Sequence, residues 1–146
     1  MRIILLIVFI VGITTTFAQT ADWQTDYEKS DLKATPRYNE TVKFVNRLDE
    51  FSDKISVGEF GVGPEGRPLL YLVYDKEGFT EPAIIRESGR IILFVQAAIH
   101  PGESEGKDAM LQLLRDVAVY GIGKELFEDV SLLFIPIFNV DGHERF

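Results

Sequence analysis

The 146-residue sequence contains no cysteine. It therefore has no disulfides and no site for lipid attachment at a signal-peptide cysteine; an oxidising compartment permits disulfides without requiring them. Basic residues are outnumbered, 15 against 23 acidic, for a formal charge of −8. That balance does not suit nucleic acid, whose phosphates need a basic face, nor an anionic membrane surface. The excess charge favours solubility. Internal repeats and low-complexity tracts are absent. So is any apolar run of the ~20 residues that a membrane-spanning helix needs. Histidine occurs only twice, at His100 and His143, so the residues able to supply imidazole chemistry are few.

What is present supports a packed domain rather than a disordered chain: 46% hydrophobic and 26% charged residues are ordinary for globular proteins. The first 18 residues stand apart. Met1-Arg2 is a short basic start, Ile3 to Ile13 is apolar apart from Gly12, and Thr16-Phe17-Ala18 supplies small residues before a cut after Ala18. This is the pattern of a secretory signal peptide, and it predicts a secreted or periplasmic protein with no membrane attachment once the leader is cleaved. Cleavage removes Arg2 and no acidic residue, moving the charge from −8 to −9.

Residues 19–35 are polar and read as loosely held, with Trp23 and Tyr27 as docking points. From Arg37 to Phe51 apolar residues recur at helical spacing, with Thr35 as the expected N-cap and Pro36 at the first helical position. The acceptor pattern Asn39-Glu40-Thr41 falls inside that helix and carries little weight. Ile55–Gly61 and Leu69–Tyr74 are expected strands of a hairpin around the Gly63-Pro64-Glu65-Gly66-Arg67 turn, in which Arg67 is read as a hairpin residue. Asp75 to Arg90 is a polar connection broken at Pro82. Ile91–Ala98 and Val130–Phe138 are near-continuous apolar runs, the pattern of strands buried on both faces. Between them lies a helix over Glu103–Tyr120, ended by Gly121 and Gly123. Strand, helix, strand predicts parallel pairing with a right-handed crossover.

Chemistry in such sheets gathers at the carboxyl ends of strands, which is where His100 and Asn139 fall. His100 and Glu103, three apart across Pro101-Gly102, can face one point in space. Imidazole and carboxylate are two of the three protein ligands of a His₂Glu zinc centre. Asn139-Val140-Asp141-Gly142 is read as a turn at the mouth of the same sheet. Arg145 beyond it is either a bidentate carboxylate binder or a solvated side chain. His143 is the other imidazole, with a surface role preferred over a ligand role. Glu105 and Asp108 suit the helix dipole, Asp108 being also a brace behind the site, and Lys107 is read as solvated or paired with them.

Three stretches, in order, resemble the zinc carboxypeptidase family: Phe60 to Leu69; Ala98-Ile99-His100-Pro101-Gly102-Glu103 with Gly106-Lys107-Asp108-Ala109; and Pro136 to Gly142. The resemblance covers residues 36–146. It implies an α/β fold, part of a mixed sheet flanked by helices, and Zn²⁺ as cofactor with His100 and Glu103 as its first two ligands. It further implies a site loop of Asn139, Asp141 and Gly142, in which Val140 replaces the usual proline. The family's third ligand, a histidine, and its general-base glutamate are expected beyond Phe146. Arg145 is a candidate substrate-binding residue without a counterpart in the family's arginine pattern. The implied activity is release of C-terminal residues from a peptide substrate by a secreted enzyme, present here as an N-terminal part that is inactive alone. A zinc amidohydrolase acting on cell-wall peptides or N-acyl amino acids, and a non-catalytic secreted binding domain, are the alternatives.

Overall fold

A computed structural model describes residues 22–146; the expected leader, residues 1–18, lies outside the described residues. The chain opens with α1 (Asp26–Lys29), closed by a capping box between Thr25 and Glu28. There follow α2 (Tyr38–Phe51), β1 (Ile55–Val62), β2 (Pro68–Tyr74), α3 (Pro82–Glu87) and β3 (Ile91–Gln96). The chain continues through α4 (Glu105–Arg115), β4 (Val130–Ile135) and α5 (Val140–His143). The four strands form one mixed sheet in the order β1-β2-β4-β3. β1 and β2 form the expected antiparallel hairpin, β2 runs antiparallel to β4, and β3 is parallel to β4 from Ile91↔Val130 to Gln96↔Ile135. No helix among the described residues is long and apolar enough to cross a membrane.

Strand alternation sorts the core. Ile55, Leu70, Leu72, Tyr74, Leu132 and Phe134 face one side, where Val45 and Leu48 of α2 and Leu111 and Leu114 of α4 cover them. The opposite face receives Ile85 of α3 and otherwise presents an open apolar groove lined by Phe60, Tyr71, Val73, Ile92 and Leu133.

Several expectations are corrected. β3 is not buried on both faces: it is an edge of the sheet among the described residues, and Ile91 (68% exposed), Leu93 and Phe94 stand in solvent. Both apolar runs end early. β3 stops before Ala98, which has φ +47, and β4 stops before Pro136, which has no N–H for a ladder bond. Thr35 does not cap α2. The helix starts at Tyr38 after Arg37 without a side-chain cap from that residue; instead the Glu144 carboxylate accepts the Tyr38 N–H at 2.8 Å, satisfying an orphan donor. α3 replaces part of the expected irregular connection, because Pro82 sits at a helix start, where proline is favoured. The helix after the second motif begins at Glu105 and widens over Asp116–Tyr120 into a π-turn, closed as expected by Gly121 at φ +68.

The segment before α2 is held more firmly than its polarity suggests. Trp23 is buried against Phe44 and Phe51, with the Arg47 guanidinium 3.8 Å from its ring centroid. The nearly buried Arg115 donates to the Trp23 carbonyl at 3.3 Å and to Glu28 at 2.5 Å, so a polar stretch is anchored by one guanidinium reaching from α4.

Candidate metal centre

β3 and β4 end side by side, and their outgoing chains are sewn together. Ala97 N–H donates to Ile135 O, Phe138 N–H to Ala97 O, and Asn139 N–H to Ala98 O, all at 3.0–3.1 Å. Ala98 turns left-handed at this seam, a conformation an L-residue adopts at a cost. The reversal throws the next residues out of the strand direction and delivers His100 to the surface. The chain then folds back through Pro101-Gly102, with Glu103 N–H on His100 O at 3.3 Å. His100 Nδ1 and Glu103 Oε2 stand 2.8 Å apart. Both side chains are open to solvent, 72% and 63% exposed.

The pair fits a metal. Imidazole nitrogen and carboxylate oxygen are zinc donors, and two ligands on a tetrahedral ion at ~2.0–2.1 Å bonds lie ~3.3 Å apart, within about half an ångström of the separation seen. The two side chains converge from a short turn and need only spread slightly. Among the described residues, no group of three or more His, Asp or Glu side chains converges to complete a site.

The Asn139–Gly142 stretch, expected as a turn, opens α5: the Asn139 side chain accepts the Gly142 N–H at 2.9 Å, an N-cap. Asp141 points toward the β1–β2 turn. Its carboxylate takes Arg67 Nη1 at 2.5 Å and the Glu65 N–H at 3.0 Å. Gly63 lies beneath; a Cβ there would meet Val140 Cγ2 at 2.7 Å and Asp141 Oδ2 at 2.9 Å. Arg67 thus does more than shape its own hairpin. Arg145 is exposed and paired with Glu65. Glu105 is exposed at the first turn of α4.

The reading of two charged residues changes most. His143, expected at the surface, is 1% exposed, and Lys107, expected to be solvated or paired, is 0% exposed. Lys107 Nζ donates to the Pro36 carbonyl at 2.5 Å and lies 3.3 Å from His143 Nε2. Asp108 Oδ1 is 3.5 Å away. Burial holds the Lys107 ammonium below its ordinary range, against the pull of Asp108. Burial, then the Lys107 charge, lowers His143. Burial raises Asp108 despite the neighbouring ammonium. The carbonyl of Pro36, 71 residues distant, is the partner that makes a buried lysine tenable; local sequence carries no signal of it.

The zinc carboxypeptidase family profile matches residues 41–146. Comparison with curated proteins returned no match. Among solved structures, the chain is similar to bovine thrombin-activatable fibrinolysis inhibitor, crystallised with tick carboxypeptidase inhibitor: 21% identity and TM-score 0.61 over 76% of this chain and 33% of that one. It is similar to carboxypeptidase A from Helicoverpa armigera, with 22% identity, TM-score 0.60, and coverage of 74% and 25%. For a Burkholderia cenocepacia metallo-carboxypeptidase the figures are 25%, 0.58, 73% and 28%. The chain therefore spans between a quarter and a third of the length of these structures. The sheet and its helices correspond to part of the fold they share.

Proposed function

Because this chain belongs to the zinc carboxypeptidase family, we propose that it carries the first two zinc ligands, His100 and Glu103, of a secreted metallocarboxypeptidase acting on peptide C-termini. The observation that supports this most directly is the 2.8 Å approach of His100 Nδ1 and Glu103 Oε2 at the carboxyl end of a parallel strand, where open sheets place their chemistry.

When bound, zinc supplies a Lewis acid that polarises a carbonyl and lowers the pKa of water. The chain's own residues build the platform. The Ala97 and Ala98 carbonyls hold the loop before His100 against Phe138 and Asn139, and the Asp141–Arg67 pair secures α5 to the β1–β2 turn. Arg145 is the candidate substrate-carboxylate binder in this reading, drawn at present toward Glu65. Two ligands hold zinc weakly, since a catalytic centre takes three protein ligands. The 146 residues alone are accordingly expected to show negligible turnover, with the third ligand and the general base supplied by further sequence.

The test is metal content and activity together. Wild type and His100→Ala are titrated with Zn²⁺ by calorimetry, and release of C-terminal residues from blocked dipeptides is followed with and without chelator. Zinc binding that depends on His100 supports the reading. Binding indifferent to His100 removes it. Chelator-sensitive turnover by these residues alone, at the rate of a complete enzyme, overturns the incompleteness of the site.

A further inference from the structure

Resting on the zinc reading, we infer that Lys107, through its buried contact with His143, is a positioning residue that sets Glu103 relative to His100. His100 follows the Ala98 seam, and the Ala98 carbonyl accepts from Asn139 N–H at 3.1 Å. Asn139 is the N-cap of α5. Glu103 precedes the first turn of α4, and that turn carries Lys107. Lys107 meets His143, the last residue of α5, at 3.3 Å. One end of a four-residue helix therefore holds the His100 loop, and the other end holds the helix that Glu103 immediately precedes. Asn139 O accepts His143 N–H at 2.9 Å, which makes the two ends a single rigid unit.

The first turn of α4 is clamped from other sides as well. Gly106 packs against Ala97, such that a Cβ on it would lie 3.5 Å from the Ala97 Cβ, and Gly102 packs against the Phe146 ring. These contacts are apolar and tolerate sliding. The Lys107 ammonium is different in kind. It has three donors and no acceptor, is fully buried, and loses a great deal if its partners are misplaced. It fixes direction as well as distance. The linkage also requires one tautomer of His143. His143 Nε2 lies 3.3 Å from the ammonium and 3.2 Å from the Pro36 carbonyl; the linkage requires Nε2 to accept from Lys107, with the ring hydrogen on Nδ1, whereas a hydrogen on Nε2 would go to Pro36 O.

The experiment measures zinc dissociation constants of the full chain by competition with a chromophoric chelator, for wild type, Lys107→Met, His143→Leu and His143→Gln, with urea unfolding run in parallel. Direct hydrogen-bond partners of a metal ligand are worth about tenfold to a hundredfold in affinity; Lys107 touches neither ligand, so the low end, about tenfold, applies. We expect that loss in Lys107→Met and His143→Leu, and recovery to near wild type in His143→Gln, which keeps an acceptor for the ammonium. Folded Lys107→Met and His143→Leu proteins with wild-type zinc affinity would overturn the inference while leaving the zinc reading intact, provided His100→Ala abolishes binding. Binding that is unaffected by His100→Ala removes both. A readout on the unmutated chain stands beside these and survives a variant that does not fold: side-chain ¹⁵N resonances of His143 should show a protonated Nδ1 and a bare Nε2. The reverse tautomer would mean that Lys107 does not donate to the ring, and the linkage fails.

Discussion

Arg67 Nη1 and Asp141 Oδ1 meet at 2.5 Å across 74 residues of sequence, joining the β1–β2 turn to the short helix that follows β4. The pair is largely shielded, with 28% and 12% of the side chains exposed, and Asp141 also accepts the Glu65 N–H. Asp141→Ala leaves the Glu65 N–H without its acceptor and the Arg67 guanidinium with the Glu65 carboxylate alone, at a cost of about 1–3 kcal/mol for a buried donor so orphaned. Urea unfolding should show that loss. Asp141→Asn, which keeps an acceptor for the Glu65 N–H, should lose less.

The metal pair is predicted to be separable from fold stability. His100 and Glu103 are exposed, and exposed substitutions away from special features stay within ~0.5 kcal/mol. His100→Ala and Glu103→Ala should each remove the calorimetric zinc signal and leave the urea midpoint where it was. A fall in stability comparable to that of Asp141→Ala would show that the pair serves the fold.

His143 makes stability pH-dependent in a defined direction. Burial and the adjacent Lys107 charge lower its folded pKa below the ordinary histidine value of about 6.5. Between the folded value and 6.5 the unfolded chain binds a proton that the folded chain does not, so folding stability falls as pH drops below 6.5. Asp108, raised by burial, titrates with the opposite sign. The informative quantity is therefore the difference between wild type and His143→Gln. Urea midpoints from pH 7.5 to 5 should converge as the pH falls, because only the wild type loses this contribution. Parallel curves would show that His143 does not titrate below its unfolded value.

Ala98 marks a strained point that can be tested directly. At φ +47 an L-residue carries a penalty of about 1–2 kcal/mol, while glycine carries an entropic cost of about 0.5–1 kcal/mol elsewhere. These nearly offset, so Ala98→Gly should leave stability within about 1 kcal/mol of wild type. Ala98→Val adds a β-branched side chain to a buried, left-handed position and should cost on the order of 2 kcal/mol or more. Zinc affinity should follow the same order, since this reversal delivers His100. Thermal unfolding and chelator competition on the two variants check both statements.

The order of α2, the hairpin, β3, α4 and β4 could be read from the sequence. Each rests on a local pattern: the 3–4 spacing of Val42, Val45 and Leu48, the glycines around Pro64, the apolar runs after Arg90 and Asp129. The convergence of His100 and Glu103 was legible for the same reason, since three residues across a Pro-Gly reversal nearly define their own geometry. The parallel pairing of β3 with β4 followed from the strand–helix–strand order. Other features required the tertiary structure, because they depend on partners with no fixed sequence separation. β3 looks like a central strand by composition, yet strand order makes it an edge among the described residues. Lys107 and His143 look like surface residues until a distant carbonyl, Pro36 O, and each other's side chains meet them in the interior. Asp141 looks like a turn former until Arg67 arrives from the hairpin. Hydrophobic periodicity records which face of an element is buried. It does not record which polar groups meet when those faces close, and in this protein those meetings join α5 to the β1–β2 turn and to α4.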